Sequence, residues 1–86
     1  MSMARYFFHI YNGAQRRDDI GTDCADARAV RTEAVESMKE IIADRLFDEG
    51  DTSSMTVNVV DAEGRTVLIA SMAASVEVVQ GSSLAA

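Results

Sequence analysis

The stretch DARAVRTEAVESMKEIIADRLFDEG, residues 26–50, decides the fold. Ala27, Val30, Ala34, Met38, Ile41 and Ile42 recur at spacings of three and four, with Val35 and Leu46 at the margin of the same stripe. That period puts one apolar face on a long amphipathic helix. Asp26 is a good N-cap, Asp23 stands near the positive end of the helix dipole, and Gly50 suits a left-handed C-terminal cap. The far side gathers Glu33, Glu36, Glu40 and Asp44, a row of like charges that costs an isolated helix a little and reads as a solvated face. Phe47 lies off the stripe. A single helix cannot bury its own stripe, so the segments on either side must supply what it packs on.

Working outward toward the N-terminus, Ala4 to Tyr11 is dense in aromatic residues and ends at Asn12-Gly13, a strong hairpin signal. It reads as a first strand, with Tyr6, Phe8 and Ile10 on one face and Arg5, Phe7, His9 and Tyr11 on the other. Gln15 to Asp19 would return as a polar, charge-protected edge strand. A two-residue turn would set Ile10 opposite Gln15, His9 opposite Arg16 and Phe8 opposite Arg17, and a longer loop would shift that register. Gly21 marks a turn toward the helix. Beyond a polar linker, residues 51–54, Met55 to Asp61 alternates as a strand with Met55, Val57 and Val59 together. Ala62-Glu63-Gly64 is a tight turn, and Thr66 to Ser71 returns. Residues 73–79 read as a turn followed by a short extended segment around Val76 to Val79. The expected fold is α+β: a β-β-α-β-β antiparallel sheet with one long helix packed on one face. It forms a single domain over residues 4–79, with 80–86 a disordered tail.

With 86 residues, 48% of them hydrophobic and 26% charged, the composition is that of one small globular domain. No run approaches the roughly 20 apolar residues of a membrane-spanning helix, and Tyr6 to Tyr11 lacks the pattern of a secretory signal, so a cytoplasmic location is expected. Residues 26–51 contribute −4 of the net charge of −6. An acidic field of this kind repels phosphate backbones and argues against nucleic acid as a partner.

Few residues suggest chemistry. His9, the only histidine, could work with Asp18 or Asp19 as a small enzyme's acid and base, but no activated nucleophile stands near them in the sequence, and a structural, hydrogen-bonded histidine is the reading preferred. Asp18, Asp19 and Asp23 surround a glycine turn without the ligand spacing of a calcium loop, and Asp48-Glu49-Gly50-Asp51 reads as a solvated helix end. Neither a metal nor a cofactor is expected. Cys24, the only cysteine, allows no internal disulfide; it is an inert, half-buried thiol or else one that forms an intermolecular disulfide or, through the helix N-terminus, is redox-sensitive. The face made by Arg5, Phe7, His9 and Tyr11 is the stronger candidate. If Tyr6, Phe8 and Ile10 meet the helix, only the C-terminal segment is left to cover these four, and exposed aromatic patches mark interfaces.

The chain resembles a family of small bacterial proteins grouped as a domain of unknown function. The resemblance rests on Arg5-Tyr6-Phe7-Phe8-His9, on Asp18-Asp19-Ile20-Gly21-Thr22-Asp23, and on Asp26 with Ala27, Ala29 and Ala34. Asp61-Ala62-Glu63-Gly64-Arg65 followed by Val67-Leu68 extends it, so that it spans about Ala4 to Val79. Ala25 replaces a common proline, and Asp23 replaces a glutamate. The resemblance implies the strand and helix order and no activity. The layout is also similar, more distantly, to the partial ribonuclease-H-like module of HicB-type antitoxins, without their second DNA-binding segment. The sequence therefore leads to the expectation of a protein-interaction module, a homodimer through Arg5, Phe7, His9 and Tyr11. An antitoxin-like partner of a toxin or RNA, and the His9 enzyme, are the alternatives.

Overall fold

The computed structural model describes residues 3–49, 52–77 and 79, with the side chains of 46–49 and 52 outside the description. The elements in chain order are β1 Ala4–Tyr11, β2 Gln15–Arg16, β3 Thr22–Cys24, α1 Ala27–Glu49, β4 Thr52–Val60 and β5 Thr66–Ser75. All strand pairings are antiparallel. The sheet runs β2-β1-β4-β5, and β3 pairs with β1 off this path. The fold is α+β, with one helix packed against one face of the sheet, as the sequence pattern requires.

The helix forms where the apolar period places it. Val30, Ala34, Met38 and Ile42 are buried, Ile41 packs beside them, and Ala27, at the first helical position, is exposed. Asp26 caps the N-terminus: its Oδ1 accepts the Ala29 N–H at 2.8 Å. Asp26→Ala is expected to cost about 1 kcal/mol, read from the urea midpoint, because an amide at the helix start loses its acceptor. Gly50, as a C-cap, lies outside the described residues, as do the side chains of Leu46 and Phe47 and the acidic group's Asp51.

Beneath the helix, β4 supplies the centre of the core. Met55, Val57 and Val59 are buried on one face, and strict alternation on a strand flanked by β1 and β5 puts them there. Burying a side chain of this size contributes roughly 1.5 to 3 kcal/mol each. Tyr6, Phe8 and Ile10 of β1 and Leu68, Ala70, Met72 and Ala74 of β5 complete that face. The opposite residues of these strands point away from α1. Among the described residues no helix is long and apolar enough to cross a membrane.

Several boundaries differ from the sequence reading. The first hairpin has a three-residue loop, Asn12 to Ala14, so Ile10 pairs with Arg16 and Tyr11 with Gln15, one step from the two-residue register. Gly13 accommodates the bend with a φ of +96°. The returning strand stops at Arg16 instead of Asp19, and the chain pairs again as β3, Thr22 to Cys24 against Ala4 to Tyr6, where the sequence suggested only a turn. The residues expected as a linker belong to β4 from Thr52 onward, which brings Ser53 into the core face. β5 runs to Ser75, through residues expected to turn. The β4–β5 turn is as expected, with Gly64 at a φ of +83°. Asp61 organises it by accepting the Glu63 and Arg65 amides at 3.0 and 2.9 Å and the Arg65 guanidinium at 3.1 Å. The Arg65 amide is the chief reason that the Asp61 carboxyl lies below the ordinary range, and it outweighs the opposing effect of desolvation.

Candidate functional site

The face turned away from α1 is built in cross-strand rows. Phe7 lies opposite Val60, His9 opposite Asn58 and Tyr11 opposite Thr56; on the other side of β4, Asn58 lies opposite Ile69 and Thr56 opposite Ser71. Thr56 Oγ1 and Ser71 Oγ share a hydrogen bond of 3.1 Å across one row. Arg5, Phe7, His9 and Tyr11 therefore do share one face, but they do not share one environment.

Residues 18–23 fasten the N-terminal half of that face. The Arg5 guanidinium donates to Asp23 Oδ1 at 3.1 Å and to the Ile20 carbonyl at 2.9 Å. Gly21 sits so close to Arg5 and Phe7 that a Cβ there would lie 2.8 Å from Arg5 Cγ and 3.0 Å from the Phe7 ring. His9 Nδ1 accepts the Asp18 N–H at 3.1 Å. Among the described residues, this segment half-covers Phe7 and His9. The described part of the C-terminal segment leaves Tyr11 59% and Ile69 68% exposed, and its own Val76 and Val79 are exposed as well. Arg5 and His9 are thus clamps for the neighbouring loop, and the open part of the face is Tyr11 with Ile69 and the residues between them.

Asp18 is the centre of the clamp. One carboxylate oxygen accepts the Phe8 N–H at 3.0 Å, and the other accepts the amides of Ile20 and Gly21 at 3.1 and 2.9 Å. Phe8 falls between the β1 residues paired by β3 and those paired by β2, so the carboxylate serves a strand amide that neither short strand serves. Burial pushes the Asp18 carboxyl up, but the three amides, with a smaller contribution from His9, outweigh it and hold the group below the ordinary range. His9 and Asp18 do meet, as the sequence allowed, yet the contact runs from a backbone amide to the ring, and the carboxylate faces other donors. Asp19 pairs loosely with Arg17 at 3.6 Å, and Asp23 with Arg5. The three carboxylates diverge, and among the described residues no group of three His, Cys, Asp or Glu side chains is placed to hold a metal ion.

Cys24 is buried against the core, 4% exposed. Burial first, then the negative charges of Glu33, Asp23 and Asp26, push its thiol above the ordinary value. The activating influence of a helix N-terminus is therefore overruled here, and the residue behaves as a small hydrophobe.

Among the described residues, Ser53 Oγ and Asn58 Oδ1 are buried polar atoms without a hydrogen-bond partner. The second stands on the open face, in the row between His9 and Ile69. Sequence reasoning did not single out Asn58 or Ile69. An asparagine within an alternating strand is the available signal, since asparagine is depleted in strands.

A family model described as a domain of unknown function, DUF6894, matches residues 5–73. The chain belongs to this family. No curated protein and no solved structure matches it. The DUF6894 span begins at Arg5 and ends at Ala73, near the end of β5, so it takes in the Asp18 clamp, the open face and the helix alike.

Proposed function

We propose that this DUF6894 domain is a protein-interaction module that self-associates, as a homodimer, through the sheet face that α1 leaves uncovered. The observation that carries the reading is the exposure of Tyr11 (59%) and Ile69 (68%) on the face of the sheet turned away from α1. Large apolar side chains exposed together on a sheet face that no element covers form the kind of patch that a partner surface buries. Tyr11 adds a broad ring with a hydroxyl at its tip, the kind of side chain that suits an interface wet on one side. A reducing compartment such as the cytoplasm agrees with the lone free thiol of Cys24.

Light scattering behind size exclusion tests the reading. The unmodified chain is expected to elute as a dimer at micromolar concentration, and Tyr11→Asp to weaken it by at least about tenfold, the equivalent of about 1.4 kcal/mol. A chain that stays monomeric, or a dimer indifferent to Tyr11→Asp, removes the open face from consideration. Retention of RNA at low salt that disappears in Tyr11→Ala would favour base stacking on the sheet instead.

A further inference from the structure

We propose that the free edge of β5 pairs with β5 of a second copy, antiparallel across a two-fold axis, so that two sheets become one. The inference shares with the preceding reading only the identity of the partner; the surface is a different one.

The two edges of the sheet are treated differently by the sequence. One ends in β2, only two residues long and followed by Arg17, Asp18 and Asp19. Shortness and charge are the ordinary protections of an edge strand. The other edge is β5, ten residues, TVLIASMAAS, without a charge or a proline. Its pairing is to β4 alone among the described residues. Its one irregularity, the register shift opposite Val59 and Val60, falls at its start, which leaves the run from Leu68 to Ser75 regular. A long, uncharged, unprotected edge is a template for another strand.

Geometry favours a second copy as that strand. A two-fold axis perpendicular to the sheet places like faces together, so Leu68, Ala70, Met72 and Ala74 continue the core face of their mates. The small side chains of Ala70, Ser71, Ala73, Ala74 and Ser75 leave room for close approach. α1 lies over β4 and β5. With strands about 4.8 Å apart, a helix midway between them stands about 5 Å from the axis, and its mate about 10 Å away, close to the distance at which helices pack. Ser37, Glu40 and Ile41 line the groove toward Phe8, Ile10 and Arg16, so the opposite flank of α1, with half-buried Val35, faces the axis. Arg28, Arg31 and Lys39 share that flank, and their long stems can lie across the seam while the charged ends reach its solvent edge. The flank from Ala27 to Arg45 is about 28 Å long and, at a depth of about 20 Å, offers about 560 Å² per partner, a total that clears the roughly 1,000 Å² of a specific interface. An isolated extended peptide would cover only the strand row.

Cysteine scanning of the full chain tests this. Single cysteines are placed at Ile69, Ala70, Ser71, Met72 and Ala73, with Tyr11→Cys as the probe of the open face; native Cys24 is buried and remains. The residue on the axis meets its own copy at a Cα separation of about 4.5 to 5.5 Å, within disulfide reach. One β5 position is expected to form covalent dimer at least about tenfold faster than Tyr11→Cys under mild oxidation, as held pairs reach effective concentrations far above the bulk. No β5 position exceeding the Tyr11→Cys rate overturns the inference. If Tyr11→Cys alone links, association runs through the open face and the edge is idle. If β5 links and Tyr11→Asp leaves the dimer intact, the edge stands and the open-face reading falls.

Discussion

Gly21→Ala is expected to destabilise the domain by about 2 to 4 kcal/mol, the sum of two separate effects. The first is conformational. Gly21 has a φ of +81°, a region where a side chain costs about 1 to 2 kcal/mol. The second is steric. A Cβ at this position lies 2.8 Å from Arg5 Cγ, 3.0 Å from the Phe7 ring and 3.0 Å from the Tyr6 carbonyl oxygen. Arg5 could swing away only by giving up Asp23 and the Ile20 carbonyl, and Tyr6 is held by its pairing with Thr22. Gly13 supplies the internal control. Its φ is +96°, yet a Cβ there meets nothing within 4 Å, so Gly13→Ala should show the conformational cost alone. Urea denaturation of the two variants separates the effects, and equal losses would falsify the claim that residues 18–21 are seated tightly against β1.

The parts of the fold that could be read from the sequence are those governed by local repetition. The spacing of Val30, Ala34, Met38 and Ile42 leaves one solution, a helix with that face inward, and the alternation of Met55, Val57 and Val59 leaves one strand orientation. The turn at Gly64 was legible because Asp61 and glycine act within five residues. What escaped depends on contacts distant in sequence. Thr22-Asp23-Cys24 has no strand pattern of its own; it pairs because Asp18 and Arg5 hold the chain alongside β1. The end of β5 escaped because alanine and serine have little intrinsic preference for strands, and it is β4 that extends them to Ser75. Alternation alone put Arg5, Phe7, His9 and Tyr11 on one face of β1. Which members were free was not legible, since the loop that engages Arg5 and His9 returns to them only in three dimensions.

Asp18→Ala is expected to lose about 2 to 3 kcal/mol and to flatten the acid limb of the stability curve. The carboxylate accepts three backbone amides, those of Phe8, Ile20 and Gly21, and charge-assisted bonds of this kind contribute more than neutral ones. Alanine leaves all three donors without that acceptor, and the loop that carries Gly21 loses the group it wraps around. The sign of the pH effect follows from the direction of the shift. The folded-state carboxyl lies below the ordinary aspartate value of about 3.9, so its contribution is fully present above that pH and is lost as pH falls through the lower, folded value. Stability of the unmodified domain should therefore decline below about pH 4, and Asp18→Ala should decline less steeply there, keeping the part that belongs to Asp61. Asp18→Asn distinguishes charge from geometry: its single carbonyl oxygen can still serve Ile20 and Gly21, while its NH₂ group confronts the Phe8 N–H. It should fall between the parent and Asp18→Ala at neutral pH, yet share the flattened acid limb, because it has no proton to bind. An Asn variant as stable as the parent, or an Ala variant with an unchanged acid limb, would show that the carboxylate does not close the gap between β2 and β3. The clamp on Arg5, Phe7 and His9 would then rest on the half-exposed Arg5 to Asp23 bridge, the Arg5 bond to the Ile20 carbonyl, the Asp18 N–H bond to His9 and the pairing of β3 with β1.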